Sequence, residues 1–114
     1  ILERIKNALT DKVEDVKISS NLKESPVRLV AGQAGLDYNL ERILKAQNPT
    51  FESSKKILEV NIDHPLIQKM IDLDITLSDN LSRVLFEQAR IADGEMPSDP
   101  YKFSQDLFEI ALKL

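Results

Sequence analysis

The sequence predicts an α+β domain, a small three-stranded sheet with packed helices that concentrate toward the C-terminal end. Three observations carry that prediction. Three short β-rich runs lie within the first 62 residues, an amphipathic helical stripe separates the second run from the third, and from Asp63 onward the apolar spacing is helical.

Leu2, Ile5 and Leu9 stand at helical spacing and Thr10-Asp11 stops them, so Ile1 to Leu9 reads as the end of a helix. Val16 and Ile18 then alternate with Asp15, Lys17 and Ser19, a period of two closed by Ser19-Ser20-Asn21. Pro26 opens the next element, Val27-Arg28-Leu29-Val30-Ala31, which ends at Gly32. A third run from Ile57 to Ile62 puts Leu58, Val60 and Ile62 on one side. Between the second and third runs, Gly35 precedes Leu36, Leu40, Ile43, Leu44 and Gln47. At ~100° per residue these fall within an arc of ~100°, opposite Tyr38, Glu41, Arg42 and Lys45. Asp63 reads as an N-cap and Pro65 as a first-turn residue of a short helix lined by Leu66, Ile67, Met70 and Ile71. Asp74 and the β-branched pair Ile75-Thr76 end it.

Two longer helices follow. Leu77 to Asp93 is expected to be capped by Ser78 or Asp79 and stopped by Gly94. Its apolar residues Leu81, Val84, Leu85, Ala89, Ile91 and Ala92 span ~160°, with Phe86 outside that arc. The last helix opens on Ser98-Asp99-Pro100 and runs to Leu114. Phe103, Leu107, Ile110, Ala111 and Leu114 form one stripe; Tyr101, Phe108 and Leu112 form a second beside it. The apolar arc is therefore ~200°, against the ~100° that a surface helix needs. Burying a Phe or Leu is worth roughly 1.5 to 3 kcal/mol, so the second stripe needs a cover. A second copy of the same two helices about a two-fold axis, a four-helix bundle across a homodimer, is the economical one. Cover by the sheet alone is the other.

Composition narrows the chemistry. The 114 residues, 12.9 kDa in mass, make one domain, 1–114, with net charge −4 and pI near 5.0. Absence of cysteine removes disulfides, thiolate zinc sites, iron–sulfur clusters and cysteine nucleophiles, and leaves the redox compartment unreadable. A single histidine, His64, cannot build a multi-His metal site, so no metal site is expected. The negative balance without a Lys/Arg run argues against nucleic acid. No more than three apolar residues run together, far from the roughly 20 of a membrane span. The start, Ile1-Leu2-Glu3-Arg4, has no Met and no leader, and reads as a cut inside a longer chain.

No residue set reads as catalytic. Asp63-His64-Pro65 resembles an oriented base, but a helix cap followed by a first-turn histidine accounts for it. Gly32-Gln33-Ala34-Gly35 lacks the phosphate-cradle pattern and reads as a turn. The acidic neighbours Glu14-Asp15 and Asp72/Asp74 read as solvated surface. The stripe Leu36, Leu40, Ile43, Leu44 has the spacing of core packing, or of a helix that fills a groove or meets another protein.

Over nearly its whole length the chain resembles the C-terminal domain of the ninety-kilodalton heat-shock protein chaperones, especially the bacterial form. The resemblance rests on Asp11-Lys12-Val13-Glu14-Asp15-Val16, Leu22-Lys23-Glu24-Ser25-Pro26 with Leu29-Val30, Asn39 to Gln47, Leu58 to Pro65, Leu85-Phe86-Glu87-Gln88-Ala89 and Asp99-Pro100. It implies a constitutive dimerisation module built from the last two helices, which the excess apolar arc suggests independently. Leu81, Leu85, Phe86, Ala89, Tyr101, Phe103, Leu107, Phe108, Ile110, Ala111 and Leu114 are the expected interface. It also implies that Leu36, Leu40, Ile43 and Leu44 face unfolded or partly folded client proteins. ATP and Mg would be held in an N-terminal domain absent from these 114 residues, so this piece is expected to carry no cofactor and no enzyme activity, while the whole protein would be a cytoplasmic ATPase of the stress response.

Two departures qualify the resemblance. Eukaryotic cytosolic members end in an acidic Met-Glu-Glu-Val-Asp tail that recruits tetratricopeptide-repeat cochaperones; here the sequence ends Ala111-Leu112-Lys113-Leu114, and no such recruitment is expected. Where the family commonly has methionines on the client helix, Leu36 and Leu40 keep the apolarity and lose adaptability. A free-standing oligomerisation or adaptor domain is the alternative reading.

Overall fold

The computed structural model describes residues 1–19, 22, 24–30, 43, 47 and 56–113. The elements run α1 (Leu2–Ala8), β1 (Val13–Ile18), β2 (Val27–Val30), β3 (Lys56–Val60), α2 (Pro65–Met70), α3 (Ile75–Ala92) and α4 (Pro100–Leu112). Together they form the expected α+β arrangement of three strands and helices.

β3 is the central strand, parallel to β1 on one side and antiparallel to β2 on the other. Its composition explains the place: Ile57, Leu58 and Val60 are all buried, and adjacent residues on a strand point to opposite faces. Arg28 Nε of edge strand β2 donates to Glu59 Oε1 of β3 across the pair at 2.6 Å.

β1 departs from the expected alternation. Val13 and Val16, three residues apart, are both buried because the register against β3 shifts between Val13 and Asp15, while Ile18 at the end of the strand is exposed. One extra residue in the strand returns Val13 to the core side. Asp15 at this irregularity is satisfied by Lys6 Nζ at 3.0 Å and by the Val16 N–H at 2.8 Å, which hold its carboxyl below the ordinary value.

The core joins Ile5 and Leu9 of the α1 end, the inner sides of the three strands, Ile67 and Met70 of α2 and one face of α3. Ile71, expected to line α2, is exposed just past its end.

His64, not Asp63, is the N-cap of α2: its Nδ1 accepts the Leu66 N–H at 3.1 Å. Pro65 occupies the first helical position, and the residue before a proline is held extended, which is also the conformation of a cap. Asp63 lies one residue further out, where its N–H donates to Asn61 Oδ1 at 3.2 Å.

α3 starts two residues earlier than the sequence predicts. Asp74 is its cap, Oδ1 accepting the Leu77 N–H at 2.9 Å, rather than the end of α2. Ser78, one of the expected caps, is fully buried inside the helix; its Oγ has no hydrogen-bond partner among the described residues. Ser78→Ala is therefore expected to raise stability by roughly 0.5 to 1 kcal/mol, since it removes an unsatisfied buried hydroxyl and improves helix propensity. Chemical denaturation would show the gain.

At the far end of α3, Gly94 takes φ +88°, its N–H donating to Ile91 O and the next N–H, of Glu95, to Arg90 O, both at 2.9 Å. This paired closure needs a left-handed residue, which glycine adopts without a Cβ clash.

The buried face of α3 is wider than the expected one: it keeps Leu81, Val84, Leu85 and Ala89 and adds residues beyond that arc. Ser78, Ser82, Leu85, Phe86 and Ala89 share an arc of ~100° and are all buried, whereas Ile91 and Ala92 are exposed. The two serines occupy inward positions that apolar counting passes over, and with them the buried face extends to Phe86. That ring is buried in the core, with Lys12 Nζ 5.9 Å from its centroid.

Candidate functional site

α3 and α4 form an antiparallel hairpin held along one edge by a ladder of polar pairs. Asn80, Arg83 and Glu87 follow one another along α3 at spacings of three and four, and so share a face. Asn80 Nδ2 donates to Glu109 Oε2 at 2.6 Å. Arg83 grips Asp106 with two bonds, Nε to Oδ2 at 3.0 Å and Nη2 to Oδ1 at 3.2 Å. Arg83 Nη2 also donates to Asn80 Oδ1. Glu87 takes the Ser98 N–H at 3.1 Å and the Ser98 hydroxyl at 2.6 Å, with Lys12 Nζ and Arg90 Nη1 each 3.7 Å from its carboxylate.

Asp106 is the one residue of α4 that the described chain buries, at 2% exposed. Lys102, one turn earlier, adds a contact at 3.3 Å. Burial pushes the Asp106 carboxyl up, but the Arg83 bonds and charge and those of Lys102 outweigh it and hold the group below its ordinary value. A folded-state value below the unfolded one stabilises the protein above the unfolded value. That contribution disappears as pH falls below about 4. Acid titration followed by circular dichroism is expected to show a loss of stability there that is smaller in Asp106→Asn.

Because α4 turns Asp106, with Phe103 and Ile110 on the same side, toward the rest of the chain, the remaining apolar residues point away. Tyr101 is 75% exposed, Phe108 63%, Leu112 83% and Leu107 44%, and Ala111 is exposed beside them. Phe103 and Ile110 are half-buried, Ile110 packing against the core. Leu81, Leu85, Phe86 and Ala89 lie in the chain's own core, so the outward face belongs to α4. Met96 at the hairpin turn and Ile91 near the end of α3 are exposed as well. A lone methionine outside any periodic stripe carried no signal of that.

Of the other expected site residues, Leu36, Leu40, Leu44 and Leu114 lie outside the described residues. Ile43 is helical and exposed, as is Gln47. His64 spends its Nδ1 on the helix cap. Among the described residues no group of three or more His, Asp or Glu is placed to hold a metal ion, and no helix is long and apolar enough to cross a membrane.

The polar ladder escaped the sequence reading, although its signal is present. Polar residues at 80, 83 and 87 recur on one face of the helix at spacings of three and four, and an acid at 106 stands beside Phe103 and Ile110.

Comparison with known proteins gives the same picture across the whole length. The family model for Hsp90 protein matches residues 1–114. Chaperone protein HtpG of Rhodopseudomonas palustris (strain BisB18) is 46% identical over 109 residues, 96% of this chain and 17% of its own length. Chaperone protein HtpG of Polaromonas naphthalenivorans (strain CJ2) is 42% identical over 101 residues, 88% of this chain and 16% of the relative. That of Chromobacterium violaceum is 36% identical over 115 residues, 100% of this chain and 18% of the relative. The chain thus spans about a sixth of the length of these relatives. With the match covering every element from α1 to α4, the chain belongs to the Hsp90 protein family.

Proposed function

We propose that this chain is the homodimerisation module of a molecular chaperone that assists protein folding under stress, with α3 and α4 of two copies packed as a four-helix bundle. The observation that carries this reading is the outward apolar face of α4, Tyr101, Leu107, Phe108 and Leu112. Leaving those side chains in water forgoes several kcal/mol, and patches of this kind mark interaction sites. A second copy supplies a matching apolar face at no cost in new sequence, as closed two-fold pairing does in most soluble oligomers. The relatives named as chaperones support the wider role.

In the whole protein, ATP and Mg are held by sequence outside this chain, and ATP hydrolysis belongs there; the cytoplasm is the compartment this reading assigns. Leu36, Leu40, Ile43 and Leu44 are the proposed client contact, with the exposure of Ile43 in its favour. Neither nucleic acid, membrane nor a tetratricopeptide-repeat cochaperone is a partner in this reading.

Light scattering on a size-exclusion column, from high to low concentration, tests the central claim. A mass of two 12.9 kDa chains that persists on dilution upholds it. A monomer throughout defeats it and favours an adaptor domain.

A further inference from the structure

The two apolar stripes of α4 pose a problem of choice that apolar burial alone does not solve. Phe103 and Ile110 of the first stripe and Tyr101, Phe108 and Leu112 of the second are of similar size and hydrophobicity and stand about half a turn apart on the helix, with the exposed Leu107 and Ala111 between them. A turn of α4 about its own axis would exchange the stripe facing the chain's core for the one facing outward. The difference in buried apolar area would be small.

One feature of the helix is not symmetric to that exchange. Asp106 lies on the side of Phe103 and Ile110, about half a turn from the Tyr101 stripe, and only in the observed orientation does it meet Arg83. In the exchanged orientation Asp106 would face away from α3 and Arg83 would lose the carboxylate, keeping only Asn80 Oδ1 of its own helix. The Asn80–Glu109 and Glu87–Ser98 bonds fix where α4 lies along α3. The two-point grip of Arg83 on Asp106 fixes its rotation as well, because a guanidinium fork and a carboxylate pair only when coplanar.

We propose that the pair made by Arg83 with the buried carboxylate of Asp106 is a positioning device that selects which apolar stripe of α4 is presented to the second copy. The inference rests on the homodimer reading and names the residues that give that pairing its specificity. Buried polar pairs add little net stability compared with apolar residues of the same volume, but they can exclude alternative arrangements. Around the pair, Lys102 on α4 reinforces the charge on Asp106, and Asp79 and Glu109 favour the charge on Arg83.

The test separates stability from pairing, using two variants of the whole chain. Arg83→Met/Asp106→Ala removes both charges without adding a large apolar side chain to either stripe of α4. Asp106→Asn keeps the shape and turns one of the two acceptors into a donor aimed at Arg83. Thermal unfolding by circular dichroism reports stability; light scattering over a dilution series reports the dissociation constant of the pair.

If rotation becomes free, about half of the protomers present the wrong stripe. Two competent protomers are needed, so the apparent dissociation constant rises about fourfold. The expected result is a double variant that unfolds at or above the wild-type temperature and yet pairs at least about threefold more weakly. A smaller weakening, or a loss of pairing that follows a matching loss of thermal stability, overturns the inference. Should the double variant not fold, Asp106→Asn, measured where it is folded, decides by the same threefold criterion. A wild-type chain that is monomeric at every concentration overturns the homodimer reading and this inference together; a wild-type pair with unaffected variants overturns the inference alone.

Discussion

Phe108→Asp is expected to yield a folded monomer. The ring is 63% exposed in the single chain, so its replacement removes little from the core and leaves the circular dichroism spectrum unchanged. Across a two-fold interface the same change removes two buried rings, roughly 1.5 to 3 kcal/mol each, and places two carboxylates where water is excluded. A rise of about a thousandfold or more in the dissociation constant follows. Leu107→Asp is expected to act the same way from the neighbouring position. Light scattering at a concentration where the wild-type chain is paired reads the result directly. A pair that survives both substitutions would remove α4 from the interface.

The largest loss of stability is expected at Leu58, in the middle of the central strand. It is fully buried, opposite Val16 on one side and Leu29 on the other. Leu58→Ala removes the side chain from a site walled by strands on both sides and helices above, where neighbours have little room to collapse. The cost is about 2 to 5 kcal/mol, a fall in Tm of roughly 10 °C or more for a domain of this size. Ile18→Ala, at the exposed end of an edge strand, is the matched control and is expected to stay within about 0.5 kcal/mol. Equal effects at the two positions would show that the core is not centred on β3.

Local signals carried much of the architecture. Asp99-Pro100 places the start of α4 and Gly94 the end of α3, because a cap, a proline ring and a left-handed turn are requirements of a few neighbouring atoms. The three strands were legible for the same reason, through β-branched residues bounded by turn formers. Where the local grammar allowed two parses, tertiary packing chose: Asp74 opens α3 although it also reads as the stop of α2, and His64 takes a cap that Asp63 could equally fill.

The excess apolar arc of α4 was visible as well, and with it the need for a cover. Its direction was not. Periodicity counts apolar residues and treats a serine or an aspartate as outward, but Ser78, Ser82 and Asp106 are among the most buried side chains described. A small hydroxyl can go inside when it donates to the carbonyl one turn earlier, as Ser82 does to Ser78 O, and a carboxylate can when an arginine from 23 residues away meets it. The sequence by itself therefore determined the α+β class, the order of the elements, the family and the presence of one unsatisfied helix. Only the tertiary structure decided which face of that helix is turned to water, because Asp106 is buried against Arg83, and the two come together across the chain rather than along it.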